Sequence, residues 1–206
     1  MSSVTFSLSE IDRQPEDRPR ACPYCESQVL QGWGWETKKL CDFEIDSVAV
    51  HRYRCDECGR TFRHYPTGVD QADLSIRVRQ LAGVLWGLGL RLEQVAVVLR
   101  STGAAIGTSS VWRAGRGIER SLRGELRSRF RPLVADDVTE VVALLQSRGL
   151  VVRIKIAPEK TVIIGVIEDG RATEGQLVAL TEELGIEARF GEGEQTSPTI
   201  DGILAE

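Results

Sequence analysis

The chain changes its hydrophobic rhythm twice. From Val29 to Trp35 and again from Val48 to Arg54, apolar and polar residues alternate with a period of two, which predicts a pair of short half-buried strands. From Leu74 to Trp86 the apolar positions 74, 78, 81, 82 and 85 form a helical stripe, and Gly87-Leu88-Gly89-Leu90 ends it. A second short helix fits Leu92 to Leu99, and a third begins near Thr108 or Ser109, either of which can cap it through its hydroxyl. Val151–Ile156 and Thr161–Ile167, separated by a turn at Ala157-Pro158-Glu159-Lys160, read as a hairpin. A helix at Gly175–Leu184 and a strand at Ile186–Phe190 follow.

The predicted hairpin between residues 29 and 54 is framed by cysteines. Cys22-Pro23-Tyr24-Cys25 and Cys55-Asp56-Glu57-Cys58 are two Cys-x-x-Cys knuckles with 29 residues between them. Each knuckle sets two thiolates on a tight turn, and four thiolates satisfy tetrahedral zinc. Two disulfides or a redox pair are the competing readings. No secretory signal precedes the cysteines, and a redox motif has no reason to be duplicated. The expected metal is structural zinc held by Cys22, Cys25, Cys55 and Cys58, because four sulfur ligands leave no open position for chemistry. Cys41, His51 and His64 are nearby, read as a packed thiol and solvated imidazoles rather than ligands.

Taking Val111 as the origin of the third helix, Ala114, Ile118, Leu122 and Leu126 share one side. Arg113, Arg116, Arg120, Arg123 and Arg127 share the other. Residues 107–132 carry seven arginines against two glutamates. The planar guanidinium fork suits phosphates and guanine edges. The candidate DNA contacts are Ser109, Ser110, Trp112, Arg113, Arg116, Arg120, Arg123 and Arg127, on the third helix of a helix-turn-helix.

Composition changes this picture in one respect. The 206 residues are 42% hydrophobic with a net charge of −4. That total conceals 20 basic against 16 acidic residues in 1–132, and 6 against 14 in 133–206. The local field in the front half therefore favours a polyanion despite the acidic total. No apolar run approaches the ~20 residues of a membrane span, so no membrane partner is expected and a cytoplasmic, nucleoid-associated location is.

The knuckles, the run Tyr53-Arg54-Cys55-Asp56-Glu57-Cys58-Gly59-Arg60-Thr61-Phe62-Arg63-His64-Tyr65-Pro66-Thr67-Gly68-Val69-Asp70, Gln80–Leu90 and Ser110-Val111-Trp112-Arg113 together carry a likeness. The region from about residue 20 to 120 resembles the N-terminal part of bacterial and archaeal insertion-sequence transposases. These join a four-cysteine zinc ribbon to a helix-turn-helix ahead of an RNase H-like catalytic domain. The resemblance implies binding of double-stranded DNA at element ends.

Residues 133–206 depart from that family. They are too few for the catalytic domain and are similar only to its opening strands and first helix. Its Asp, Asp and Glu metal ligands have no counterpart. Asp136 and Asp137 precede a capping-box pattern ending at Glu140, Asp169 fits a turn, and Glu192 and Glu194 read as an acidic tail. No catalytic residue is assigned.

The expected architecture is α+β and multidomain. It comprises a flexible leader at 1–20, a zinc ribbon at 21–69, a three-helix helix-turn-helix at 70–132 and a truncated α/β remnant at 133–206. The expected function is DNA binding by a truncated, non-catalytic transposase-like protein. The alternative is a stand-alone zinc-ribbon transcriptional regulator, and either is compatible with a homo-oligomer.

Overall fold

A computed structural model describes residues 2–116, 118–132, 150–157, 160–167 and 170–192. The fold is mixed α and β, with eight strands and five helices among the described residues. It divides into two compact units. One comprises Ser9–Arg79 and Leu99–Ile106, and the other Met1–Leu8, Gln80–Val98 and Gly107–Glu206. Asp136, Asp137, Asp169, Glu194 and the capping box ending at Glu140 lie outside the described residues.

The first unit is built on a three-stranded antiparallel sheet, ordered β2 (Leu30–Lys39), β3 (Ser47–Cys55), β4 (Thr61–His64). Its two ends bury opposite faces, as a strongly twisted short ribbon permits. Near the cysteines, Leu30, Tyr53, Cys22 and Cys55 form one small core. At the far end Val48 and Val50 pack instead with Leu40 and Val69. The segment after β2 is pinned to the start of a helix: Cys41 N–H donates to Asp73 O at 2.7 Å, and Ser75 N–H to Cys41 O at 3.2 Å.

Ser75 then caps α1 (Ile76–Gly87), its hydroxyl accepting from Val78 N–H at 3.2 Å. The same hydroxyl donates to Asp42 Oδ2 at 2.6 Å, and Arg77 Nε reaches that oxygen at 2.9 Å. A second Arg77 hydrogen bond to Asp42 Oδ1 makes the pair bidentate.

The second unit holds a five-stranded mixed sheet ordered β5 (Phe130–Pro132), β7 (Lys160–Ile167), β6 (Leu150–Ala157), β1 (Ser2–Ser7), β8 (Glu187–Glu192). The expected flexible leader is corrected here. Its first residues are an interior strand, parallel to β6 and antiparallel to β8. The cause is a period-two pattern: Val4 and Phe6 share a face with their partners Val152 and Ile154, and all four are fully buried. The described strands between 150 and 192 thus share their sheet with a strand from residues 2–7.

Helix α5 (Gly170–Leu184) connects β7 to β8 and ends at Gly185, whose φ of 63° closes a left-handed cap with Ile186 N–H on Thr181 O at 2.8 Å. It meets α1 at two glycines. A Cβ on Gly83 would lie 2.6 Å from Leu184, and one on Gly87 2.7 Å from Leu180. Helix α2 (Leu92–Ser101) precedes α3 (Thr108–Ala114) and α4 (Arg120–Arg129).

The single third helix read from periodicity is therefore two helices, broken at residues 115–119. Its start differs as well. Gly107 is the N-cap, with no side-chain cap bond, so Thr108 and Ser109 already lie inside the helix. The break has a packing cause. Gly115 is buried, and any Cβ there would overlap the Trp86 ring. After the break, Glu183 accepts from Glu119 N–H at 3.1 Å beside the start of α4. The apolar stripe survives the interruption, since Val111, Ile118, Leu122 and Leu126 are all buried.

Gly115→Ala is accordingly expected to destabilise the chain by about 1–3 kcal/mol through overpacking, although alanine is the better helix former. A melt in denaturant measures this, and an unchanged midpoint would show that Trp86 moves aside freely.

Candidate metal centre and the basic helices

The four cysteines lie together, all Sγ atoms within 4.8 Å of one another. The two closest measured pairs are Cys25–Cys55 at 3.5 Å and Cys22–Cys58 at 3.8 Å. Sulfurs at the corners of a tetrahedron with metal–sulfur bonds of about 2.3 Å sit about 3.8 Å apart. A disulfide requires about 2.05 Å, so the cysteines are free thiols gathered at metal-ligand spacing.

The knuckles repeat one backbone design. Cys22 O accepts from Glu26 N–H and Cys55 O from Gly59 N–H, each at 2.9 Å. Cys22 N–H donates to Ser27 O and Cys55 N–H to Arg60 O, at 2.8 and 2.9 Å. Each turn closes on a left-handed residue, Glu26 at φ 62° and Gly59 at φ 67°. Glu26 is the costlier occupant, because a Cβ is disfavoured there.

Without an ion the thiols compete. The Ser27 backbone N–H favours the Cys25 thiolate, but desolvation and hydrogen bonds with Cys55, Cys58 and Cys22 outweigh it and push the thiol up to about 12. The Cys58 backbone N–H, against desolvation, draws Cys55 down to about 7. A cation relieves this conflict, because thiolates that repel one another all gain from a shared positive charge. Among the described residues, no other group of three or more His, Cys, Asp or Glu side chains is placed to hold an ion.

Cys41 stands apart, its thiol donating to Ala105 O at 3.2 Å. His51 stacks on Trp35 with ring centroids 4.2 Å apart, and His64 Nε2 lies 2.9 Å from Asp17 O.

The expected DNA contacts are divided among three segments. Ser109, Ser110, Trp112 and Arg113 are on α3, Arg116 is in the break, and Arg120 and Arg123 are on α4. Ser109, Trp112, Arg113, Arg116 and Arg120 are exposed, while Val111 is buried. Arg113 is steadied by its own helix, donating to Ser109 O and Ser110 Oγ, both at 3.3 Å. Arg123 departs from the expected outward row, half-buried with its guanidinium 3.9 Å from the centroid of the Trp86 ring. It holds the helix break closed as a cation–π partner. Arg127 lies on α4, its side chain outside the described residues.

Periodicity and spacing do not single out Trp33 and Tyr24, exposed beside Arg54 and Arg60, or Trp35, exposed beside the His51 ring. Glycines on both sides of Trp33 are the available signal, because glycine inside a strand pattern marks a bulge or a close approach.

No family model, no curated protein and no solved structure matches the chain. Among the described residues no helix is long and apolar enough to cross a membrane.

Proposed function

We propose that the chain is a zinc-dependent, double-stranded DNA-binding protein of the kind found at the N-terminus of insertion-sequence transposases, without strand-cleaving activity of its own. In this reading Cys22, Cys25, Cys55 and Cys58 hold a structural zinc that supports a zinc ribbon. The helices from α1 to α4 supply a helix-turn-helix-like DNA surface. Zinc contributes four metal–sulfur bonds and no chemistry, since the protein ligands fill its coordination sphere.

The observation that carries the reading is the outward face of α3 and the following turn. Ser109, Trp112, Arg113 and Arg116 are exposed there while Val111 anchors the inner side. Hydroxyl, indole and guanidinium groups on one short helix can combine phosphate contacts with base-edge contacts. The pairing of β1 with β6 and β8 makes one sheet of both ends of the described residues, which a decayed RNase H-like remnant would not require. That lends weight to the second reading, a stand-alone regulator.

Replacing Arg113, Arg116 and Arg120 together by Gln is expected to weaken duplex binding. The slope of log affinity against log salt should fall by about 0.9 for each phosphate no longer neutralised, or about 2.7 for three. Filter binding on a random duplex library from 50 to 200 mM salt measures both. An unchanged slope would make these arginines a solvated surface.

A further inference from the structure

The cysteine end of the ribbon displays three large rings that its own core does not use. Tyr24, Trp33 and Trp35 are 53%, 45% and 57% exposed. Each has a nitrogen-bearing partner: Arg60 lies 5.1 Å from the Tyr24 ring centroid, Arg54 lies 5.2 Å from that of Trp33, and His51 stacks parallel on Trp35 at 4.2 Å.

The backbone sets their directions. Gly32 pairs with Tyr53 and Trp35 with His51, so Trp33 and Gly34 together oppose Arg52 in a bulge. In a regular strand residues 33 and 35 would share a face. Here Trp33 lies against Arg54 and Trp35 against His51, and side chains at 54 and 51 emerge from opposite faces of β3. The rings therefore straddle β2, which is the edge of its sheet. Between them Gly34 has φ 100°, and apart from its two chain neighbours nothing lies within 4 Å of where a Cβ would stand.

We infer that this edge is a binding site for single-stranded nucleic acid, with unstacked bases on Trp33, Trp35 and Tyr24 and phosphates on Arg54 and Arg60. Every base offers a π-face, so such stacking is strong and tolerant of sequence. The arginines are suited to phosphate, and both are exposed. Asp56 and Glu57, exposed at the second knuckle, limit the electrostatic share. Stacking therefore supplies most of the affinity, and the salt dependence is shallow. This site is separate from the duplex-binding surface proposed on α3 and the turn after it.

The test uses the full zinc-loaded chain with fluorescently labelled 12-nucleotide oligothymidylate, oligouridylate and a 12-base-pair duplex, read by anisotropy. Single strands of either sugar should bind, with a log–log salt slope of about −1.4 for two phosphates. Trp33→Ala and Trp35→Ala should each weaken single-strand binding about tenfold or more. Zinc content, melting temperature and duplex binding should stay unchanged, and W33F/W35F should recover most of the loss. Arg54→Gln with Arg60→Gln should flatten the slope toward zero. The site is overturned if the folded, zinc-loaded chain binds neither single strand. Equal affinity in the W33A/W35A variant, or an unaltered slope in the arginine variant, would overturn it as well. Unchanged duplex binding and salt slope in the α3 variant would instead count against the proposed function and leave this site standing.

Discussion

Removing the metal, or replacing Cys22 or Cys55 by Ser, is expected to unfold the ribbon outright. The three strands enclose only two small cores, and one of them consists of Cys22, Cys55, Leu30 and Tyr53. Two of the four candidate ligands are thus also core residues, fully buried. Structural zinc contributes on the order of 10 kcal/mol of apparent folding free energy at neutral pH. A whole domain commonly has a net stability of about 5–15 kcal/mol. No packing inside so small a sheet can replace that contribution. Cys25→Ser should be milder than Cys55→Ser, because Cys25 is exposed and serves the ion without filling the core.

Zinc stoichiometry by atomic absorption and amide dispersion in NMR spectra, before and after chelation, measure this. One zinc per chain and collapse of the signals from residues 22–64 is the expected result. A metal-free chain with a well-dispersed ribbon would refute the ligand set and, with it, the zinc reading.

The extent to which the fold is legible in the sequence depends on how local each signal is. The knuckles and strands β2 and β3 are written in spacing and period-two alternation over a few residues, and the sheet follows them closely. Strand β1 carries the same alternation in Val4, Phe6 and Leu8, all buried. Its partners Val152 and Ile154 lie almost 150 residues away, and the charged residues from Glu10 to Arg20 disguise it as a leader. The helix from Thr108 onward is legible in its buried stripe but not in its continuity. Periodicity reveals Val111, Ile118, Leu122 and Leu126, but not that the Trp86 ring occupies the space a Cβ at 115 would need.

The same tertiary fact turns Arg123 from an outward phosphate donor into the partner of Trp86. The four cysteines are the most legible part of either candidate site. The tryptophan bulge is the least, because it depends on which face of β3 each neighbour occupies.

Asp42→Ala is expected to cost about 3–5 kcal/mol, the second largest loss in the chain. The Asp42 side chain is fully buried and Arg77 nearly so, 7% exposed. Deleting the carboxylate leaves a guanidinium without its main partner in a dry site, with only the long 3.4 Å pair to half-exposed Glu44 remaining. It also strands the Ser75 hydroxyl that joins the loop after β2 to the cap of α1.

Burial pushes the Asp42 carboxyl up, but the Arg77 guanidinium, the Ser75 hydroxyl and the Glu44 N–H together hold it below the usual carboxylate range. The sign follows from that net lowering. The folded chain holds the proton less tightly than the unfolded one, so the stabilisation is complete above about pH 4–5 and is lost as pH falls through the folded value. Urea melts of the parent should therefore fall more steeply from pH 5 to pH 3 than those of Asp42→Asn, which has no proton to gain at that site. Zinc release also destabilises at low pH but acts equally in both proteins, so their difference isolates Asp42. Parallel pH curves would mean that the carboxyl is not ionised in the folded chain and that the Arg77 pair does not form.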